Sequence, residues 1–161
     1  MKTVVLTLLI IMSVGILSTQ LHSQEVNVYN RSLVQANDEG VAIGGYDPVA
    51  FFLQDAAVVG QAEYSCSYLG KTWHFSSAEN RDRFLASPES FTPEYGGFCA
   101  HSLGKGTLVE ADPESFLVRD DKLYFYANDS FRNKEKEKSK IDFGDLSNKR
   151  KANWSKFKYS F

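Results

Sequence analysis

Residues 64–84 read YSCSYLGKTWHFSSAENRDRF, and the pattern of this stretch decides the fold class. YSCSY alternates in polarity, LGK supplies a glycine suited to a reversal, and TWHF is rich in strand formers, so residues 63–75 are expected to form a hairpin. Strand alternation puts Tyr64, Cys66 and Tyr68 on one face and Ser65 and Ser67 on the other. Trp73 and Phe75 share a face, with His74 opposite. Ser76-Ser77-Ala78-Glu79 has the spacing of a capping box, with Ser76 as the cap and Glu79 three residues on. A helix over 77–86 follows, ended by Pro88.

Toward the C-terminus, PESFTPEYGG turns twice. Strands are expected over 107–110 and 116–119, and Asp120-Asp121 turns the chain into LYFYA. From Ser130 lysine and glutamate alternate, which reads as an exposed helix. A second helix carries Ala152, Trp154 and Phe157. Toward the N-terminus, VAIGGYDPVAFFL (41–53) is the first dense apolar stretch. Gly44 and Gly45 permit unusual backbone angles, and Asp47 before Pro48 favours a turn with its carboxylate on local N–H groups. No internal repeat or low-complexity segment stands out. The expected fold is a small single-domain α+β protein of antiparallel hairpins, a short capped helix and C-terminal helices. The expected organisation is a signal peptide over 1–23, a linker over 24–40, the domain over 41–131 and a basic helical extension over 132–161.

The signal-peptide reading rests on Lys2, an apolar run of about 14 residues, and a small, polar exit; a spanning helix needs roughly 20. Export to a periplasmic or extracellular space follows, with no membrane span after removal of the leader. Only Cys66 and Cys99 are present, which allows one disulfide or none. Residues 24–131 carry 7 basic and 16 acidic side chains, and residues 132–161 carry 10 basic and 4 acidic ones. This balance in an exported chain excludes a nucleic-acid partner. The basic segment is a solvated helix face that attracts its own acidic body, or a surface for an anionic partner.

Four ordered segments, GGYDPVAFF, YLGKTWHFSSAENRDRF, SPESFTPEYGGFCA and DPESFLVRDDKLYFYAN, resemble the exported, stand-alone branch of the YHS-domain family over residues 41–128. The resemblance implies a compact α+β domain with no established reaction. YHS domains attached to metal-transport ATPases carry cysteines just before and within the short helix and are thought to bind metal there. This chain has Ser76 and Asn80 at those positions, so that ligand set does not carry over. Cys99 within YGGFCA does match the exported branch. Tyr46, Asp47, Pro48, Gly96 and Gly97 are the other motif residues.

The chemistry turns on EYGGFCAHS, residues 94–102. Cys99 and His101, with His74, are candidate ligands for a soft ion, Cu or Zn. Cys99 is alternatively a nucleophilic or redox thiol, although no CxxC or triad is legible, or half of a Cys66–Cys99 disulfide, or a small buried residue after a glycine turn. A site of either chemical kind is expected where residues 94–101 meet the hairpin 64–75. Tyr46, Phe51, Phe52, Trp73 and Tyr95 read as core. Asn30, Asn128 and Asn153 fit the glycan sequon. The expected function is that of an exported YHS-like binding module and not an enzyme, with a soft-metal site near Cys99 as the sharper hypothesis. The alternatives are a thiol-dependent redox protein or enzyme using Cys99 and a purely structural or partner-binding domain.

Overall fold

The computed structural model describes residues 33–138 and 140–158. The signal peptide expected over 1–23, the Asn30 sequon and the first part of the linker lie outside the described residues. The fold is α+β, with two antiparallel hairpins and six helices among the described residues. A 3-10 turn at Ile43–Gly45 leads to α1 (Ala50–Leu53). The first hairpin joins β1 (Gln61–Tyr68) to β2 (Lys71–Phe75). Helices α2 (Ala78–Ala86) and α3 (Pro88–Phe91) follow, then a second 3-10 turn at Glu94–Gly97 and α4 (Ala100–Gly104). The second hairpin joins β3 (Asp112–Arg119) to β4 (Lys122–Tyr126), and α5 (Asp129–Glu137) and α6 (Lys140–Lys158) complete the chain.

Both hairpins close through two-residue turns in which each residue has positive φ: Leu69 and Gly70 in the first, Asp120 and Asp121 in the second. Such turns match the right-handed twist of the strands they join. Trp73 and Phe75 are buried with Phe84 of α2, and Tyr68 stacks edge-on against Phe84 at 5.5 Å. Phe51 of α1 packs on the other hairpin, 4.8 Å from Phe116 and 5.2 Å from Phe125. Of the aromatic residues expected in the core, Phe51, Trp73 and Tyr95 are buried in one hydrophobic interior that joins both hairpins, while Tyr46 and Phe52 are only half-buried against it.

The two hairpins are equivalent halves of one repeat. Gln61↔Phe75, Ser65↔His74, Cys66↔Trp73 and Tyr68↔Lys71 recur as Asp112↔Tyr126, Phe116↔Phe125, Leu117↔Tyr124 and Arg119↔Lys122. Every position is displaced by 51, and the register shift falls at the same place in both. The helices after the hairpins correspond at the same displacement, each capped by a side chain that accepts the N3 amide: Ser77 from Asn80, and Asn128 from Phe131. Upstream, three successive positive-φ residues recur as well: Ile43, Gly44 and Gly45, then Tyr95, Gly96 and Gly97. Between the hairpin-helix segments, 61–86 and 112–137, only Glu63/Glu114, Lys71/Lys122 and Arg81/Arg132 are identical. So few identities conceal the repeat in the sequence, because the backbone pattern needs only turn formers, strand formers and a cap.

Four sequence expectations are corrected. The α2 cap is Ser77, one residue later than expected, because Ser76 is committed to Asp47 through both its N–H and its hydroxyl. No strand forms over 107–110; β3 starts at Asp112, and the Val109 carbonyl instead accepts the Cys99 N–H at 2.9 Å. The described part of the linker is packed. Val34 is buried, and the Gln35 side chain both donates to and accepts from Ala111, each at 2.8 Å. The charged C-terminal helices are more than a solvated face, since Glu135 and Arg150 are fully buried.

Candidate functional site

Asp47 follows the first glycine turn and is completely buried. Its Oδ1 accepts the N–H groups of Val49 and Ala50 at 2.9 and 3.3 Å. Its Oδ2 accepts the Ser76 N–H at 2.8 Å, the Ser76 hydroxyl at 2.6 Å and the Asn80 Nδ2–H at 2.7 Å. The local turn contacts match the sequence expectation, whereas the clasp on β2 and α2 does not follow from local sequence. A carboxylate removed from water is costly unless donors replace its solvation, and five donors do so here. The motif residues Ser76 and Asn80 are therefore held by a carboxylate.

Cys99 occupies the matching place after the second glycine turn. It is fully buried, and its Sγ accepts from the Ala127 N–H at 3.3 Å and the Ser102 hydroxyl at 3.4 Å. Ala127 is the residue 51 positions after Ser76, so the thiol takes the same backbone N–H that Asp47 takes in the first half. Cys99 also bridges to Phe125 in β4. Residues 94–101 consequently meet the second hairpin, not the hairpin 64–75 that was expected. Tyr95 lies 6.1 Å from Tyr124, Lys122 Nζ donates to Glu94 at 2.6 Å, and a side chain on Gly97 would press on Ile43 and Phe125.

The candidate soft ligands are dispersed among other tasks. His101 on α4 stacks on Phe131 at 4.3 Å, and its Nδ1 lies 3.2 Å from Glu135 Oε1. Burial lowers the His101 pKa against the opposing pull of Glu135. His74 lies on β2 beside Gly45, across the strand from buried Trp73 and Phe75. Cys66 and Cys99 are both free thiols. Burial pushes the Cys66 thiol up, with Arg81 opposing. Among the described residues, no three His, Cys, Asp or Glu side chains gather as a metal-holding group, and the thiol at Cys99 is enclosed.

Residue pattern alone does not signal the ionic knot behind His101. Glu135 of α5 accepts from Arg150 Nη2 of α6 and from Lys138 Nζ, both at 2.6 Å, while Arg150 Nε donates to the Ala100 carbonyl at 2.8 Å. Burial pushes the Glu135 carboxyl up, but the donors from Lys138 and Arg150 outweigh it and hold the group below the usual carboxylate range. Glu135 is the positional equivalent of Phe84, an inward-facing helix residue in the first half. Alternating charges look like a solvated face in sequence, and only the partner 15 residues away makes burial tolerable.

An open cleft of about 390 Å³ lies between α5 and β3. It is lined by Asp55, Phe116, Leu117, Val118, Arg132 and Lys136. Among the described residues, no helix is long and apolar enough to cross a membrane. Of the described sequons, Asn153 spends its Nδ2 on the Leu103 carbonyl at 2.9 Å, and exposed Asn128 uses its Oδ1 as the α5 cap. Comparisons with protein-family models, curated proteins and solved structures found no match for this chain.

Proposed function

We propose that this chain is an exported, stand-alone domain of the YHS type that works by binding a ligand and not by turnover. The observation that carries the reading is the use of Cys99. The thiol that would perform redox or nucleophilic chemistry is an interior hydrogen-bond acceptor, equivalent in position to the Asp47 carboxylate. A reactive cysteine instead occupies a partly exposed, electropositive setting. The four motif segments support the family reading because they interlock: the first holds the second through Asp47–Ser76, and the third holds the fourth through Cys99–Ala127. The open cleft supports binding, since Arg132, Lys136 and Asp55 bring charge to it.

The test is thiol titration of native protein, with elemental analysis for Cu and Zn on the wild type, Cys99→Ser and Cys66→Ser. Cys99 should react only after unfolding, and no stoichiometric metal should depend on it. Rapid native modification of Cys99 would install the thiol reading. Stoichiometric Cu or Zn lost in Cys99→Ser and kept in Cys66→Ser would install the soft-metal one.

A further inference from the structure

We propose that the cleft between α5 and β3 binds a small organic carboxylate that also carries a hydrogen-bond donor. This inference rests on the binding-module reading and names the ligand class. Arg132 and Lys136 are one helical turn apart on α5 and both line the cleft. Like charges at this spacing repel. The Arg132 Nη1 is held by Asp129 Oδ1 at 3.0 Å and more loosely by the Glu114 carbonyl at 3.5 Å. Lys136 makes no ion pair with a described residue. A carboxylate in the cleft meets the exposed Lys136 ammonium and relieves the repulsion. Asp55, which also lines the cleft, accepts the ligand's donor. The three charged side chains sum to a single positive charge, which suits a monoanion better than a phosphate dianion. The volume falls in the range of roughly 300–1,000 Å³ typical of small-molecule sites.

The repeat provides an internal control. At the equivalent positions of the first half, Phe116, Leu117 and Val118 are replaced by Ser65, Cys66 and Ser67, and Lys136 by Leu85. Arg81, the equivalent of Arg132, pairs with Asp82 at 2.9 Å. The fold therefore forms the same hairpin and helix without this lining, so the lining is not a requirement of the architecture.

The experiment is an NMR titration of the purified protein with hydroxyisocaproate as the probe. Saturable shifts should fall on the amides of residues 116–118 and 132–136. Lys136→Ala, which removes an exposed side chain with no described ion pair, should weaken binding about tenfold, the effect of one charge-assisted contact. Arg132→Ala should do at least as much, Arg81→Ala should change nothing, and Asp55→Asn should weaken hydroxyisocaproate more than isocaproate. Absence of saturation, undiminished binding by Lys136→Ala, or tighter binding of isobutyl phosphate would overturn the proposal. Saturable binding elsewhere on the chain would overturn this site while leaving the binding-module reading intact. Only thiol-dependent turnover at Cys99 would remove that broader reading.

Discussion

The Asn80 amide donates to the buried Asp47 carboxylate at 2.7 Å, across 33 positions of chain. This bond and the two from Ser76 fasten the first glycine turn to the end of β2 and the first turn of α2. Asp47→Ala would leave those donors buried without an acceptor, together with the N–H groups of Val49 and Ala50. Each such group costs about 1–3 kcal/mol, so the substitution should destabilise the fold by about 3 kcal/mol or more. Urea denaturation measures it; a loss below about 1 kcal/mol would mean that water or a shifted side chain replaces the carboxylate.

Glu135 and Arg150 should behave as a unit. Glu135→Ala strands a buried guanidinium and should cost about 3–5 kcal/mol. The double change Glu135→Leu with Arg150→Met removes both charges and should recover most of that loss. A double variant as unstable as the single one would show that Arg150 acts mainly through its bond to the Ala100 carbonyl.

Stability should fall on mild acidification through His101. Its folded pKa is lowered, so the unfolded chain binds the proton more readily and stability rises with pH. The contribution is full above the unfolded value of about 6.5 and is lost as pH falls from there toward the lower folded value. The lowered Glu135 pKa acts the same way in a more acidic window, present above the ordinary carboxylate value and lost as pH falls through the folded one. His101→Asn keeps a polar atom near the Nδ1 position and cannot titrate. Denaturation at about pH 7.5 and about pH 5.5 should show a decline in the wild type that is reduced in the variant. Equal declines would place the proton elsewhere.

Gly96 has a positive φ, and a Cβ there would stand 2.0 Å from the Leu33 carbonyl oxygen. Its own carbonyl accepts the Gln35 N–H at 2.8 Å. Gly96→Ala should therefore displace the segment around Leu33–Gln35, costing about 2 kcal/mol or more, above the ordinary left-handed penalty of about 1 kcal/mol. Hydrogen exchange should accelerate at the Gln35 amide. Gly70→Ala is the control, since it has positive φ but open space around the Cβ, and it should show the conformational penalty alone.

The export reading proposed above predicts removal of residues 1–23: intact mass of secreted material should match a chain beginning near Gln24. A mass that retains residues 1–23 would instead identify an N-terminal anchor.

Residue pattern alone was enough for the α+β class, both hairpins, turns at Gly70 and Asp120-Asp121, and the apolar strand faces that carry Trp73 and Phe75. These are local matters: strand alternation, turn chemistry and helix capping act over a few residues. Long-range packing set which hairpin Cys99 would meet, that Ser77 and not Ser76 would cap α2, and that Glu135 would be buried opposite Arg150. It also revealed the repeat that makes Asp47 and Cys99 equivalent. A polar side chain's role depends on which donor the folded chain delivers to it, and those donors lie 15 to 33 residues away. Residue type reveals that Asp47 and Cys99 can accept a hydrogen bond; only the packed backbone brings them the N–H groups of Ser76 and Ala127.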